Sequence, residues 1–354
     1  MKHLLAKSYD HKTYPSTPPA YALLTQHTRD VVAACDALAQ AVGYIALANA
    51  ELDKSDFERF RLALLANGWT QDLGKASSHY QEMVSHVPEI QQLLRHETIS
   101  ALLVWQDARF RQWLTPLSNV LTLSVWGAAG HHRKFDFRTV PKQSPVLTVH
   151  IKHEDFAIIL KEMGEHLGLD VPPQFEADLT IAYDKRESCD IAAVESLRDL
   201  FDEFEDCEVQ FASSHERRLL ALVKGFGIAA DVAASAIAAR KQSASDYSLA
   251  KFIADSVTSV GLQTSDLTKL ISRWAWERSK VEYSSRSDDS LPPDFIVRDF
   301  QNQVAQSTSH LTLAQAGCGS GKSLAAYMWA RAWCARLTAQ GLSLIHISEP
   351  TRPY

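Results

Sequence analysis

Imidazoles and carboxylates set inside stretches that otherwise read as apolar helix constrain this fold more than any other feature of the chain. His27 lies in QHTRD, Asp72 in QDLGK, His96 in RHET, the pair His131 and His132 in GHHRK, and Asp231 in AADVA. Asp231 interrupts GIAADVAASAIAA, a run of small helix-forming residues. A carboxylate buried there without a partner would be costly, so it either faces water or meets a cation. Groups this far apart in sequence converge only if helices carry them to one place. Leu23, Leu24, Val31, Val32, Ala34 and Leu38 recur at helical spacing over residues 20–48, which turns His27 toward the core. A second helix is expected over 56–73, with Asp56 as N-cap and Gly74 just past its end. The turn QDLGKAS brings Asp72 and Lys75 to one side of the chain. Further helices fit 96–107, 117–130, 154–167, 190–204 and 215–240, with Pro141, Pro145, Pro172 and Pro173 at the breaks. Residues 1–240 are therefore expected to form a mainly α, nearly all-helical domain.

With 354 residues the chain has room for about two domains. Its five cysteines show no CxxC spacing, which argues against a zinc ribbon or a disulfide framework and fits a reducing compartment. No charge-free apolar run approaches the ~18 residues of a spanning helix, and the start has no signal-peptide core. A cytoplasmic protein without membrane partners, and a monomer, is the expectation. The net charge of −6 offers no global attraction to nucleic acid, so that case rests on local patches. The best of them, Arg133, Lys134, Arg138 and Lys142, adjoins the paired histidines.

A different texture begins after Arg240. Residues 241–292 read as a helical connection that becomes polar and Ser-rich, and a new unit opens at 293–341. There HLTLA (His310 to Ala314) reads as a strand, AGCGSGKS (Ala316 to Ser323) as a phosphate-binding loop of Walker A type, and Leu324 to Leu337 as an amphipathic helix. Gly317, Gly319 and Gly321 would let backbone N–H groups curl around phosphates, Lys322 would reach the outer phosphates, and Ser323 would offer its hydroxyl to Mg²⁺. Upstream, RDFQ resembles the adenine-reading motif of superfamily 2 helicases, with Gln301 able to bond a base edge in both directions. Only 31 residues follow Ser323 in the 354-residue chain, so helicase or ATPase activity is not expected of it alone. Residues 342–354, LSLIHISEPTRPY, lack the pattern of a following strand and read as a non-native tail.

Taken in order, these residues resemble the HD nuclease domain of the CRISPR-associated nuclease–helicase of type I systems, the enzyme recruited by the Cascade surveillance complex. The resemblance covers about residues 20–240 and 293–341. It implies an all-helical HD-type domain followed by the first strand, loop and helix of a RecA-like α/β helicase domain. It implies metal ligands at His27, Asp72, His96, His131, His132 and Asp231, with Asp72 bridging two ions and Lys75 neutralising charge on phosphorus. Mixed His and Asp ligands suit divalent Mn, Fe, Co or Ni. The activity implied is metal-assisted hydrolysis of single-stranded DNA in antiviral defence, with Arg133 or Lys134 holding the strand. Mg-ATP would drive the full-length protein.

One position departs from the family pattern, whose turn begins HD. This chain has Gln71 before Asp72, and a carboxamide is a poorer transition-metal ligand than imidazole. Two alternatives follow. The same ligands would serve an HD phosphohydrolase acting on nucleotides, which would ignore circular single-stranded DNA. Alternatively, Gln71 has impaired the site and left a docking module.

Overall fold

The computed structural model describes residues 2–87, 94–131, 146–184, 188–210, 213–239, 251, 253, 263–279, 290–309, 312–315, 317 and 319–339. Expectations at His132, Arg133, Lys134, Arg138, Lys142, Ala316 and residues 342–354 lie outside these. The chain divides into two units, Met1–Thr258 and Ser259–Tyr354.

The first unit runs through α1 (Leu24–Asn49), α2 (Phe57–Thr70), α3 (Ser78–Val84), α4 (His96–Gln106), α5 (Ala108–Trp113), α6 (Ser118–Ala129), β1 (Leu147–Val149), α7 (Glu154–Leu167), β2 (Leu179–Ala182), β3 (Ile191–Ala192), α8 (Ala193–Gln210) and α9 (Ser214–Ala239). The mainly helical expectation holds, and the reason is visible in α1. Its buried face carries Leu24, His27, Thr28, Val31, Ala34, Cys35 and Leu38, positions that recur with the period of a helix. Helices α1, α2, α6 and α9 pack against one another around one apolar core. Phe60 of α2, fully buried, meets Phe226 of α9 edge-on at 5.1 Å between ring centroids, a geometry worth about 1 kcal/mol beyond the area it buries. By length and composition, α1 and the Ser214–Ile237 part of α9 are apolar enough to cross a membrane. That corrects the reading from charge-free runs. Here the two helices pack on each other and bury His27 and Asp231.

Several local expectations change. Residues 190–192 are not the start of a helix. Asp190 Oδ2 accepts from both the backbone and the hydroxyl of Thr180, and Ile191–Ala192 pair in parallel with Ile181–Ala182. With β1 antiparallel to β2 (Leu147↔Ile181), these strands make a three-stranded sheet of order β1-β2-β3 that the sequence reading missed. The sheet is tied to the turn after Asp72, since His150 N–H donates to the Ala76 carbonyl at 3.0 Å and Ser77 bridges Val149. Asp56 makes no side-chain cap for α2. The cap forms one 3₁₀ turn earlier, where Asp53 accepts from Ser55 N–H at 2.8 Å and Asp56 accepts from Asp53 N–H. Gly74 does not occupy a left-handed C-terminal position either. It lies inside a 3₁₀ turn, Leu73–Ala76, and a Cβ there would sit 2.0 Å from the His96 carbonyl oxygen. Close approach to α4, not backbone freedom, requires glycine at this point.

In the second unit α10 (Thr264–Trp276) and α11 (Asp299–Gln306) both pack on α12 (Lys322–Ala339). Leu267, Ala330 and Cys334 form one small apolar cluster, and Ile271, Leu324 and Met328 another. Helix α12 extends the expected 324–337 by a turn. The expected strand is not seen: residues 312–315 have irregular backbone, and His310 and Leu311 lie outside the described residues. A lone segment has no neighbour among the described residues with which to form a ladder, and unpaired strand backbone gains nothing by staying extended.

Gly74→Ala should reduce the unfolding free energy by about 2–3 kcal/mol through forced separation of the turn from α4. Urea denaturation measures it. An unchanged midpoint and slope would show that the turn yields without cost.

Candidate metal centre

Five elements deliver the polar groups of the first unit to one buried place. Helix α1 supplies His27, the turn after α2 supplies Asp72 and Lys75, α4 begins with His96, His131 follows the end of α6, and Asp231 comes from the middle of α9. His27, Asp72, Lys75, His131 and Asp231 are all buried, and His96 is nearly so. The turn carrying Asp72 is pinned by Ser100 of α4, whose hydroxyl donates to the Gln71 carbonyl at 2.8 Å and accepts from Gly74 N–H at 2.8 Å.

Asp72 is the hub. Its Oδ2 lies 3.0 Å from His27 Nε2, and its Oδ1 lies 2.9 Å from Lys75 Nζ and 3.4 Å from His96 Nε2. His27 Nε2 also lies 3.3 Å from Asp231 Oδ1 and 3.0 Å from Lys75 Nζ. Asp72, His96 and His131 each present a ligand atom within 4.8 Å of the others, and so do His27, Asp72 and Asp231. Asp72 thus belongs to two three-donor groups. Metal–nitrogen and metal–oxygen bonds run about 2.0–2.2 Å, so donors this close need little movement to share an ion.

The ring tautomers suit that role. His131 Nδ1 lies 2.6 Å from the Ala128 carbonyl, which can only accept, so Nδ1 carries the proton and Nε2 the lone pair. His96 turns Nδ1 toward Glu97 Oε2 at 3.5 Å while Nε2 faces Asp72. Glu97 is buried and held by Arg95 Nε at 2.5 Å. A carboxylate behind a ligating histidine orients the ring and raises its basicity.

Electrostatics point the same way. Burial alone would raise the Asp72 carboxyl, but the Lys75 ammonium, with His27 and His96, holds it well below the usual carboxylate range. Asp231 is likewise raised by burial and then brought below its ordinary value, chiefly by His27. Burial would depress Lys75, and Asp72 reverses this. Burial lowers His96, which favours the neutral ring a metal needs. Two ionised carboxylates therefore share one ammonium. The residual negative charge and the nitrogen–oxygen donor set fit a divalent cation.

Gln71 takes no visible part in this network. It is fully buried, and neither polar atom of its carboxamide has a hydrogen-bond partner among the described residues. His132 lies outside the described residues. Sequence reasoning missed Glu97 and Tyr80, whose ring meets His96 edge-on at 5.3 Å and lies 5.9 Å from Lys75 Nζ. Both act through neighbours, and the only signal in the sequence was their adjacency to His96 and Lys75.

In the second unit Gly319 and Gly321 have φ of 74° and 86°, and Lys322 opens α12 with Ser323 behind it. Lys322 Nζ donates to the Gly317 carbonyl at 2.9 Å. Gln301 does not present a free amide. Its Oε1 accepts from Arg298 N–H at 2.9 Å and its Nε2 donates to the Gly321 carbonyl at 3.1 Å, so the side chain braces the loop.

Comparison with known proteins agrees with this geometry. Residues 6–239 match the family described as Cas3, HD domain. A putative CRISPR-associated nuclease/helicase Cas3 of Myxococcus xanthus (strain DK1622) is 34% identical over 338 residues, which covers 93% of this chain and 41% of that protein. The chain thus spans about two fifths of the length of that relative. No solved structure matches. The chain belongs to the family of CRISPR-associated proteins built on the Cas3 HD nuclease domain.

Proposed function

We propose that the first unit is the metal-dependent nuclease of a CRISPR-associated nuclease–helicase and that it hydrolyses phosphodiester bonds in single-stranded DNA. The observation that carries the reading is the pair of three-donor groups sharing Asp72. His27 and Asp231 would hold an ion on one side of that carboxylate, and His96 and His131 on the other. Bound divalent ions, with Mn, Fe, Co and Ni as candidates, would supply Lewis acidity toward the scissile phosphate and toward water. The chain's own groups do the rest. Asp72 keeps the two donor groups at a fixed separation, because its two oxygens face different partners. The Lys75 ammonium balances one of the two buried carboxylates and stands ready to offset charge gathering on a phosphate. Glu97 fixes the His96 ring, and the Ala128 carbonyl fixes His131.

On this reading the loop from Gly317 to Ser323 begins the Mg-ATP site of the helicase in the longer protein, residues 342–354 are not native, and the complex that recruits the enzyme is Cascade. A cytoplasmic monomer fits these roles. The unpartnered carboxamide of Gln71 favours a second reading, a centre impaired in metal binding that serves only to dock. Metal content separates the two.

Two outcomes are expected. Asp72→Ala should slow Mn²⁺-dependent digestion of circular single-stranded DNA by roughly 100-fold or more, since the charge stabilisation at stake is several kcal/mol. Equal digestion by both chains would remove the nuclease assignment. Should the wild type retain no Mn²⁺ after loading while Gln71→His restores both metal and cleavage, the docking reading prevails. Separately, Glu97→Gln should weaken Mn²⁺ binding about 10-fold, measured by calorimetry, without unfolding the chain. An unaltered affinity would show that Glu97 serves only Arg95.

A further inference from the structure

The segment before the first helix belongs to the wall of the metal centre. Leu4, Leu5 and Ala6 are buried, and the backbone donor and acceptor of each are taken. Leu4 N–H donates to Asp155 Oδ2 at 2.7 Å, and its carbonyl accepts from Leu24 N–H at 2.9 Å. The Gln81 carboxamide pairs with both groups of Leu5, at 2.9 and 2.8 Å. Ala6 N–H donates to the Ala22 carbonyl at 2.8 Å, and its own carbonyl accepts from the Tyr80 hydroxyl at 2.5 Å. Six satisfied groups on three consecutive residues leave the segment one position and one direction.

Two of these partners are also tied to the centre. Gln81 Nε2 donates at 2.7 Å to the carbonyl of Lys75, and Gln81 is buried. Tyr80 packs its ring against His96 and beneath the Lys75 ammonium. Whatever follows Ala6 is therefore delivered to the edge of the site. That residue is Lys7, half-buried, whose charge meets its neighbours among the described residues through space and not through a side-chain hydrogen bond. Its ammonium is pushed below the ordinary lysine value, first by burial and then by Lys75, while Asp231, Asp72 and Asp30 pull it back up. Lys7 and the candidate ligands thus feel the same field.

A cation kept partly from water, crowded by a second cation and with no carboxylate of the described residues at ion-pair distance leaves a place for an anion. Lys75 differs, being committed to Asp72. We propose that Lys7 is a substrate-binding residue of this centre and that its ammonium holds a phosphodiester of the strand lying across the metal donors. The assignment rests on the nuclease reading given above. An ammonium binds phosphate as a point charge, so it positions the strand without reading its sequence.

The test uses the full chain loaded with Mn²⁺, a fluorescein-labelled oligothymidylate for binding, and circular single-stranded DNA for cleavage. Lys7→Ala should weaken oligothymidylate binding about tenfold and flatten the plot of log Kd against log salt by about 0.7, the loss of one phosphate contact on a single strand. It should raise KM more than it lowers kcat, leave bound Mn²⁺ unchanged, and be rescued in large part by Lys7→Arg. Lys7→Gln, closer in volume, guards against loss of folding and should behave as Lys7→Ala does. If these variants bind with wild-type affinity and salt slope, or lose Mn²⁺ together with activity, the assignment is overturned. The two readings fail differently. Cleavage that survives Asp72→Ala removes the nuclease centre, whereas cleavage lost in Asp72→Ala but normal in Lys7→Ala removes only the role of Lys7.

Discussion

A carboxylate stripped of water holds the first unit together as a functional object. Asp72 is 1% exposed, and an isolated ionised carboxylate in such surroundings would be prohibitively unfavourable. It stays charged because α1, the turn itself and α4 each bring a partner within 3.4 Å. Displacing any one of these elements removes a partner from that charge, and loss of all three would leave it unpaired, at a typical loss of about 3–5 kcal/mol. The Ser100 hydroxyl, bonded on both sides of Asp72 along the chain, and the absent side chain at Gly74 are further expressions of the same constraint. They hold the turn against α4, so that His96 reaches Asp72 from the first residue of its helix. The sheet does similar work from the other side through the Ala76 carbonyl.

How much of this could be read from the residues depended on whether the reason for a residue lies within its own element. His27 and Asp231 were readable because a polar group inside an apolar helical stretch conflicts with its surroundings, and the conflict itself is the signal. Their meeting required only that the helices pack. Glu97, Tyr80 and Gln81 act on a ligand or a backbone carbonyl contributed by another residue, and nothing in their local pattern distinguishes them from surface polar residues. The sheet was missed for a different reason. Its strands are two to four residues long, too short for an alternation to rise above chance. Asp56 looks like a cap because it precedes the apolar run, whereas the 3₁₀ turn ahead of it shifts the cap to Asp53, and a 3₁₀ turn leaves no hydrophobic period to detect.

The second unit illustrates what a motif can and cannot carry. Gly319 and Gly321 adopt the positive φ that the loop pattern requires, and α12 starts at the lysine, so loop and helix follow from local chemistry. The strand expected before the loop is a different matter, since extended backbone is stabilised by a ladder that other strands must supply. Gln301 shows a further limit. A carboxamide can bond a base edge, and it can equally bond the loop's own carbonyls, and here the nearer partners win. Sequence identifies the group and its capacity, while the choice among partners is made by packing.

Charge balance links metal and substrate. With Asp72 and Asp231 ionised and Lys75 protonated, the buried centre carries one net negative charge, and a phosphodiester approaching it would be repelled. A single divalent ion held by these residues would reverse that sign, and a second would strengthen the reversal. In the role proposed for it, the Lys7 ammonium would then stand at the edge of a cationic site, where an anion relieves its repulsion from Lys75. On the nuclease reading proposed above, metal would therefore bind before nucleic acid, creating the field that the strand needs. The chain is acidic overall, so on that reading the attraction to a single strand would arise locally, among charges close enough to escape screening by salt.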